Sequence, residues 1–146
     1  MPLTRREICL LLPAAGLWQG LAPDALADGP ALPSDSYPFD KLPVKVSGGA
    51  EYRAILKGKL VTGELVEVHE TTLGPHIMPH PPHHHPRTEM WLIRQGAVEL
   101  TINGKSNMLT AGSLGFAASN DEHSIKNAGE SPATYFVVAI GPGAGE

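Results

Sequence analysis

The chain has 146 residues, enough for one domain with a modest hydrophobic core. Only 18% of residues are charged and the net charge is −4, which argues against a nucleic-acid-binding surface. Sixteen glycines and fourteen prolines predict a turn-rich all-β chain, and a single cysteine excludes a disulfide framework.

In chain order, residues 1–27 read as a leader rather than as part of the fold. The run Thr4-Arg5-Arg6-Glu7-Ile8-Cys9-Leu10 resembles a twin-arginine export signal. An apolar run through Trp18 follows, with Ala25-Leu26-Ala27 as a cleavage site before Asp28. Pro13 interrupts the apolar run, which is too short to span a bilayer. The resemblance implies a periplasmic or secreted protein with no membrane association after cleavage. Cleavage would also remove Cys9, leaving no thiol for catalysis or disulfides.

Residues 28–43 form a proline-rich linker or arm, with Pro30, Pro33, Pro38 and Pro43. Tyr37 and Phe39 could pack it onto the barrel or onto a second subunit; a mobile tether is the other reading. From residue 44 to 146 the chain reads as short strands. Expected strands are 44–47, 53–57, 64–73, 88–94, 97–102, 105–109, 113–118, 122–127 and 133–140. Asn103-Gly104 is the strongest hairpin signal, and Val98, Leu100 and Ile102 alternate with Ala97, Glu99 and Thr101, so one face of that strand is buried. No stretch sustains a helical period. About eight antiparallel strands predict a jelly-roll β-barrel in a single domain.

The chemistry concentrates in HPPHHHPRTEMWLIRQG, residues 80–96. His83 and His85 are two apart, so an extended backbone puts both imidazoles on one face. Glu89 shares that parity, and Pro86 turns the chain between the histidine pair and the strand. His123, in a short alternating strand after Ser119-Asn120-Asp121, supplies a further imidazole. Two or three imidazoles and a carboxylate inside an apolar barrel are costly unless something pairs them, and a divalent cation is the natural partner. The nitrogen and oxygen donor set suits Mn, Fe, Co, Ni, Cu or Zn, and lacks the thiolates of closed structural zinc sites.

These two segments resemble the cupin family. His83, His85, Glu89 and Gly96 meet every spacing of its first motif. Ile77 stands where that motif opens with glycine, and Gly74 is positioned to do the same work three residues earlier. Gly112, His123 and Asn127 fit the second motif, in which Ala118 and Asn120 replace a proline and a glycine. The resemblance implies the cupin jelly-roll barrel, a mononuclear metal held by His83, His85, Glu89 and His123, a small-molecule substrate and a homodimer. It supports oxygenase-, isomerase- and decarboxylase-type enzymes alike; a non-catalytic metal or small-ligand binding module is the alternative. Twin-arginine export carries folded protein, so the ion would be inserted in the cytoplasm, away from the tighter-binding copper and zinc. Mn or Fe is favoured on that ground, with Zn, Ni, Co and Cu open.

Other residues have plainer expectations. His84 points away from its neighbours, and His76 and His80 belong to the rim. His69 is a strand residue near the barrel, Trp91 and Phe116 pack the core, and Arg87 is a solvated turn residue unless an anionic substrate engages it.

Overall fold

The alternation from residue 44 onward becomes nine strands in the computed structural model, which describes residues 29–142. They are β1 (Val44–Ser47), β2 (Ala50–Lys59), β3 (Leu65–Leu73), β4 (Thr88–Gln95), β5 (Ala97–Ile102), β6 (Lys105–Thr110), β7 (Leu114–Ala117), β8 (His123–Asn127) and β9 (Ala133–Gly141). Residues 1–27, read above as a leader, lie outside the described residues. One sheet has the order β1-β2-β3-β9-β4-β7 and the other β6-β5-β8, and every strand pair is antiparallel. The architecture is the jelly roll that the sequence predicts. Each of its nine strands overlaps one of the nine expected segments, and β2 runs to ten residues instead of five because a bulge at Ala54–Leu56 lets it bend without losing its pairing.

The core lies between the sheets. Leu73, Trp91, Ile93, Val98, Leu100, Ile125, Tyr135 and Val137 form one buried cluster, so odd positions of β3, β4 and β9 face inward. Each large apolar side chain buried there contributes about 1.5–3 kcal/mol. In β7 the inward positions are Gly115 and Ala117, and a side chain at Gly115 would collide with Leu100. Phe116 is therefore not a core residue: it lies on the outer face, 54% exposed. Leu92 and Leu114, paired across β4 and β7, extend that exposed apolar surface.

Turn chemistry fixes the register. Asn103 and Gly104 both have positive φ (47° and 76°), as the tight hairpin between β5 and β6 requires. Gly96 closes β4 at φ 76°, where a Cβ would sit 2.8 Å from the Ala133 Cα. Asn120, standing where the motif carries glycine, adopts φ 64°. Asparagine is among the few residues that tolerate this conformation, so the turn before β8 survives the substitution.

Asn127 locks the inner end of β8. Its fully buried amide donates to the carbonyls of Leu73 (3.0 Å), Gly74 (2.9 Å) and Ser131 (2.9 Å), and its Oδ1 accepts from the Gly129 amide at 2.9 Å. Asn127→Ala strands several of these main-chain groups, each worth about 1–3 kcal/mol when buried unpaired. Chemical denaturation of the metal-free protein should show a loss of about 3 kcal/mol or more. A loss below about 1 kcal/mol would mean that water takes over the amide's contacts.

The arm before β1 packs along the barrel. Leu32 N–H bonds the Lys59 carbonyl at 2.8 Å, and the Leu32 side chain occupies the space over Gly58. Leu32 and Tyr37 line a groove with Leu56, Leu60 and Val66 on the sheet's outer face. Phe39 lies under the Arg53 guanidinium, 4.1 Å from ring centre to Cζ.

Candidate metal centre

His83 is not in a strand, yet the chain pins it opposite His123. The two residues exchange both main-chain hydrogen bonds, His83 N–H to His123 O at 3.1 Å and His123 N–H to His83 O at 2.8 Å. The Asn120 amide holds the next turn by donating to the His85 carbonyl at 2.9 Å. Glu89 enters from β4, one inward position before Trp91, whose indole packs edge-on against the His123 ring at 5.2 Å.

The ring nitrogens of His83, His85 and His123 come together with one ligand atom from each within 4.8 Å of the others. Each ring is oriented by its own main chain. Nδ1 of His83 faces the Pro81 carbonyl (3.3 Å), that of His85 the Arg87 carbonyl (3.0 Å), and that of His123 the Asp121 carbonyl (2.9 Å). A carbonyl can only accept, so all three Nδ1 atoms carry the hydrogen, and in the neutral rings all three Nε2 atoms present a lone pair. His123 is 2% exposed and its buried Nε2 has no hydrogen-bond partner. Glu89 Oε2 lies 2.8 Å from His85 Nε2 and 3.6 Å from His123 Nε2. Lone pairs and a carboxylate converging on one point need a cation. The donor set and the orphaned nitrogen fit a divalent transition metal.

Without an ion, these groups shift one another's protonation. Burial pushes Glu89 up, but the neighbouring His123 and His85 outweigh it and hold the carboxyl below its usual range. At His123 burial acts downward, yet the Glu89 carboxylate 3.6 Å away, the Asp121 carbonyl and the nearby negative charge keep it above the ordinary imidazole value. Burial, followed by the neighbouring His80 and His123, depresses His83.

The four residues singled out in sequence are thus brought together, and their neighbours are sorted. His84 is exposed. His76 reaches away to Glu130 at 2.9 Å. His80 stays exposed but stacks edge-on against His83 at 4.4 Å. Arg87 departs from the expected solvated turn: its side chain is only 22% exposed and Nη1 reaches Glu67 Oε2 at 3.4 Å. Gly141 makes that possible, since a Cβ there would lie 2.8 Å from the Arg87 Cα.

Sequence reasoning passed over the inward face of β3, in the same sheet as Glu89 with β9 between them. Glu67, His69 and Thr71 share the parity of Leu65 and Leu73 in β3 and face inward with them. Glu67 also accepts from Tyr52 Oη at 3.1 Å and pairs with Lys57 at 3.1 Å. The His69 and Tyr52 rings touch at 4.4 Å. The signal was the run Glu67-Val68-His69-Glu70, in which both faces are polar enough to hide which one is internal.

A jelly-roll barrel carrying a cluster of three histidines able to hold a cation defines the class of protein. Residues 66–139 match the Cupin_2 family, described as a cupin domain, and the chain belongs to that family. Over 63 residues it is 36% identical to a mannose-1-phosphate guanylyltransferase of Klebsiella pneumoniae, spanning 43% of this chain and 13% of that enzyme. Among solved structures, a predicted oxalate decarboxylase of Thermotoga maritima superimposes with a TM-score of 0.62 at 20% identity, covering 73% of this chain and 99% of the other. An RmlC-like cupin of Shewanella frigidimarina gives 0.62 at 14% identity, covering 77% and 95%.

Proposed function

We propose that this is an exported cupin that holds one divalent transition metal on His83, His85, Glu89 and His123 and acts enzymatically on a small oxygen-rich molecule. The observation that carries it is the set of three imidazoles whose Nδ1 hydrogens are all tied to main-chain carbonyls, leaving three Nε2 lone pairs aimed at one point beside a carboxylate. When bound, such an ion acts as a Lewis acid toward oxygen ligands and, if it is iron, reacts with dioxygen. The chain's part is to present neutral imidazoles, to keep Glu89 ionised and to shield the deep side of the site with Trp91. Mn or Fe is the preferred ion, since a protein folded before export meets its metal in the cytoplasm. Oxygenase, isomerase and decarboxylase chemistries all suit a polarising ion with room for substrate oxygens. The exposed apolar surface of Leu92, Leu114 and Phe116 supports a homodimer.

Protein produced with its own leader and recovered from outside the cytoplasm should carry about one metal per chain by elemental analysis and turn over one member of a panel of hydroxy acids, keto acids and sugars. Arg5→Lys with Arg6→Lys should hold the precursor in the cytoplasm; unchanged export would reject the twin-arginine route. A full metal complement with no turnover across the panel would reject the enzymatic reading and leave a binding module.

A further inference from the structure

His69 is the one histidine inside the barrel that the metal site does not use. It is held on the inward face of β3, and its Nδ1 is buried with no hydrogen-bond partner. In either neutral tautomer that atom is an unsatisfied donor or acceptor, an arrangement that costs stability. Its surroundings do not compensate: the Tyr52 ring lies against it at 4.4 Å, and the Tyr52 hydroxyl bonds Glu67 at 3.1 Å.

The register places this orphan two strands from Glu89 in the same sheet. Glu67 in β3 pairs with Ala139 in β9, which pairs with Glu89 in β4; His69 pairs with Val137, which pairs with Trp91. His69 and Glu89 therefore stand on strands separated by β9, about 10 Å apart across the sheet at ordinary strand spacing. Between Glu67 and Glu89 the inward side chain is only the methyl of Ala139. The inward surface between those two carboxylates is therefore low. The surface is cationic on balance: Lys57 (3.1 Å) and Arg87 (3.4 Å) both sit on the single carboxylate of Glu67. A divalent ion added to Lys57 and Arg87 outweighs Glu67 and Glu89, so the surface favours an anion.

We propose that His69 is a substrate-binding residue, its buried Nδ1 hydrogen-bonding the far oxygen of a small carboxylate whose near oxygens lie at the metal site. The assignment rests on the metal reading above and adds to it a ligand class and the residue that selects it. Glu67 holds Lys57 and Arg87 in place as the source of the positive field, and Tyr52 keeps the His69 ring from rotating.

The test uses full-length mature protein loaded with Co2+, whose visible absorption reports changes at the ion, titrated with glycolate and with its neutral amide. Glycolate should bind the wild type more tightly than the amide. His69→Leu should keep the cobalt content by elemental analysis, keep or raise the melting temperature, and weaken glycolate about tenfold, the value of one buried hydrogen bond. His69→Gln, which retains an N–H donor, should recover part of the loss. Equal binding of the amide, or unchanged glycolate affinity in His69→Leu, would overturn the proposal while leaving the metal site standing. A His69→Leu protein that keeps cobalt but melts well below wild type would also overturn it, since His69 would then serve the fold. A wild type that takes up no Co2+ would remove the metal site and this proposal together.

Discussion

Alanine at His83, His85, Glu89 or His123 is expected to empty the metal site, whereas alanine at His84, His76 or His80 is not. An ion that binds only the folded barrel stabilises it by about 2.7 kcal/mol when free metal is a hundred times the dissociation constant. Loss of an outer-shell partner typically weakens metal sites about 10–100-fold, and loss of a ligand should reach at least the upper end. At the same metal concentration a hundredfold weakening leaves only about 0.4 kcal/mol. Metal content and the metal-dependent rise in melting temperature are the two readouts, each taken against the metal-free variant, since removing a buried polar group changes the barrel by itself. His80 is the most informative control because its ring packs on His83 without entering the cluster. Metal lost from His84→Ala and retained in His83→Ala or His85→Ala would reject the assignment, for the register through the three consecutive histidines would be off by one.

The second large effect is on pH. Binding requires neutral imidazoles, whose ordinary pKa is about 6.5, so protons and metal compete for the same Nε2 atoms. His123 lies above its ordinary value and His83 below it. Affinity should therefore fall first with the slope of a single proton, starting above about pH 6.5, and steepen toward two or three protons below it. Metal-free stability moves differently. The raised pKa of His123 contributes stability that is fully present below its unfolded value and is lost as pH rises through the folded one. The depressed pKa of Glu89 contributes stability present above its unfolded value and lost as pH falls through the folded one. The metal-free barrel thus gains most from this pair at mildly acidic pH, where the metal binds worst. The difference in melting temperature between metal-bound and metal-free protein should widen steadily from about pH 5 to pH 8. A constant difference over that range would contradict a three-histidine site.

Much of this was legible because local rules and the fold agree. The alternation around Val98 and Leu100, the Asn103-Gly104 turn and the spacing of His83, His85 and Glu89 each follow from the period-two geometry of a strand. Phe116 was misjudged because hydrophobicity alone does not say which face of a short strand is inward; its neighbours Gly115 and Ala117, small enough for the crowded interior, decide that. Arg87 was misjudged because its partner Glu67 lies twenty residues earlier, on a strand whose two faces are both polar. The anchoring of the imidazoles was invisible for a different reason: the carbonyls of Pro81, Arg87 and Asp121 are main-chain groups, which no side-chain pattern encodes.

The main-chain bridge between His83 and His123 has a mechanical consequence. These residues are forty positions apart, one in an irregular approach segment and the other at the start of β8. An ion gripping both side chains works as a crosslink in a barrel that has no cysteine of its own. By chain entropy, closing a loop of that length restricts the unfolded chain by about 4 kcal/mol, the scale of a disulfide. Unlike a disulfide, this tie is released by acid or a chelator and re-forms without an oxidant. On the proposed metal reading, the segment carrying residues 80–87 would be the part of the barrel whose hold on β8 rises and falls with the supply of metal.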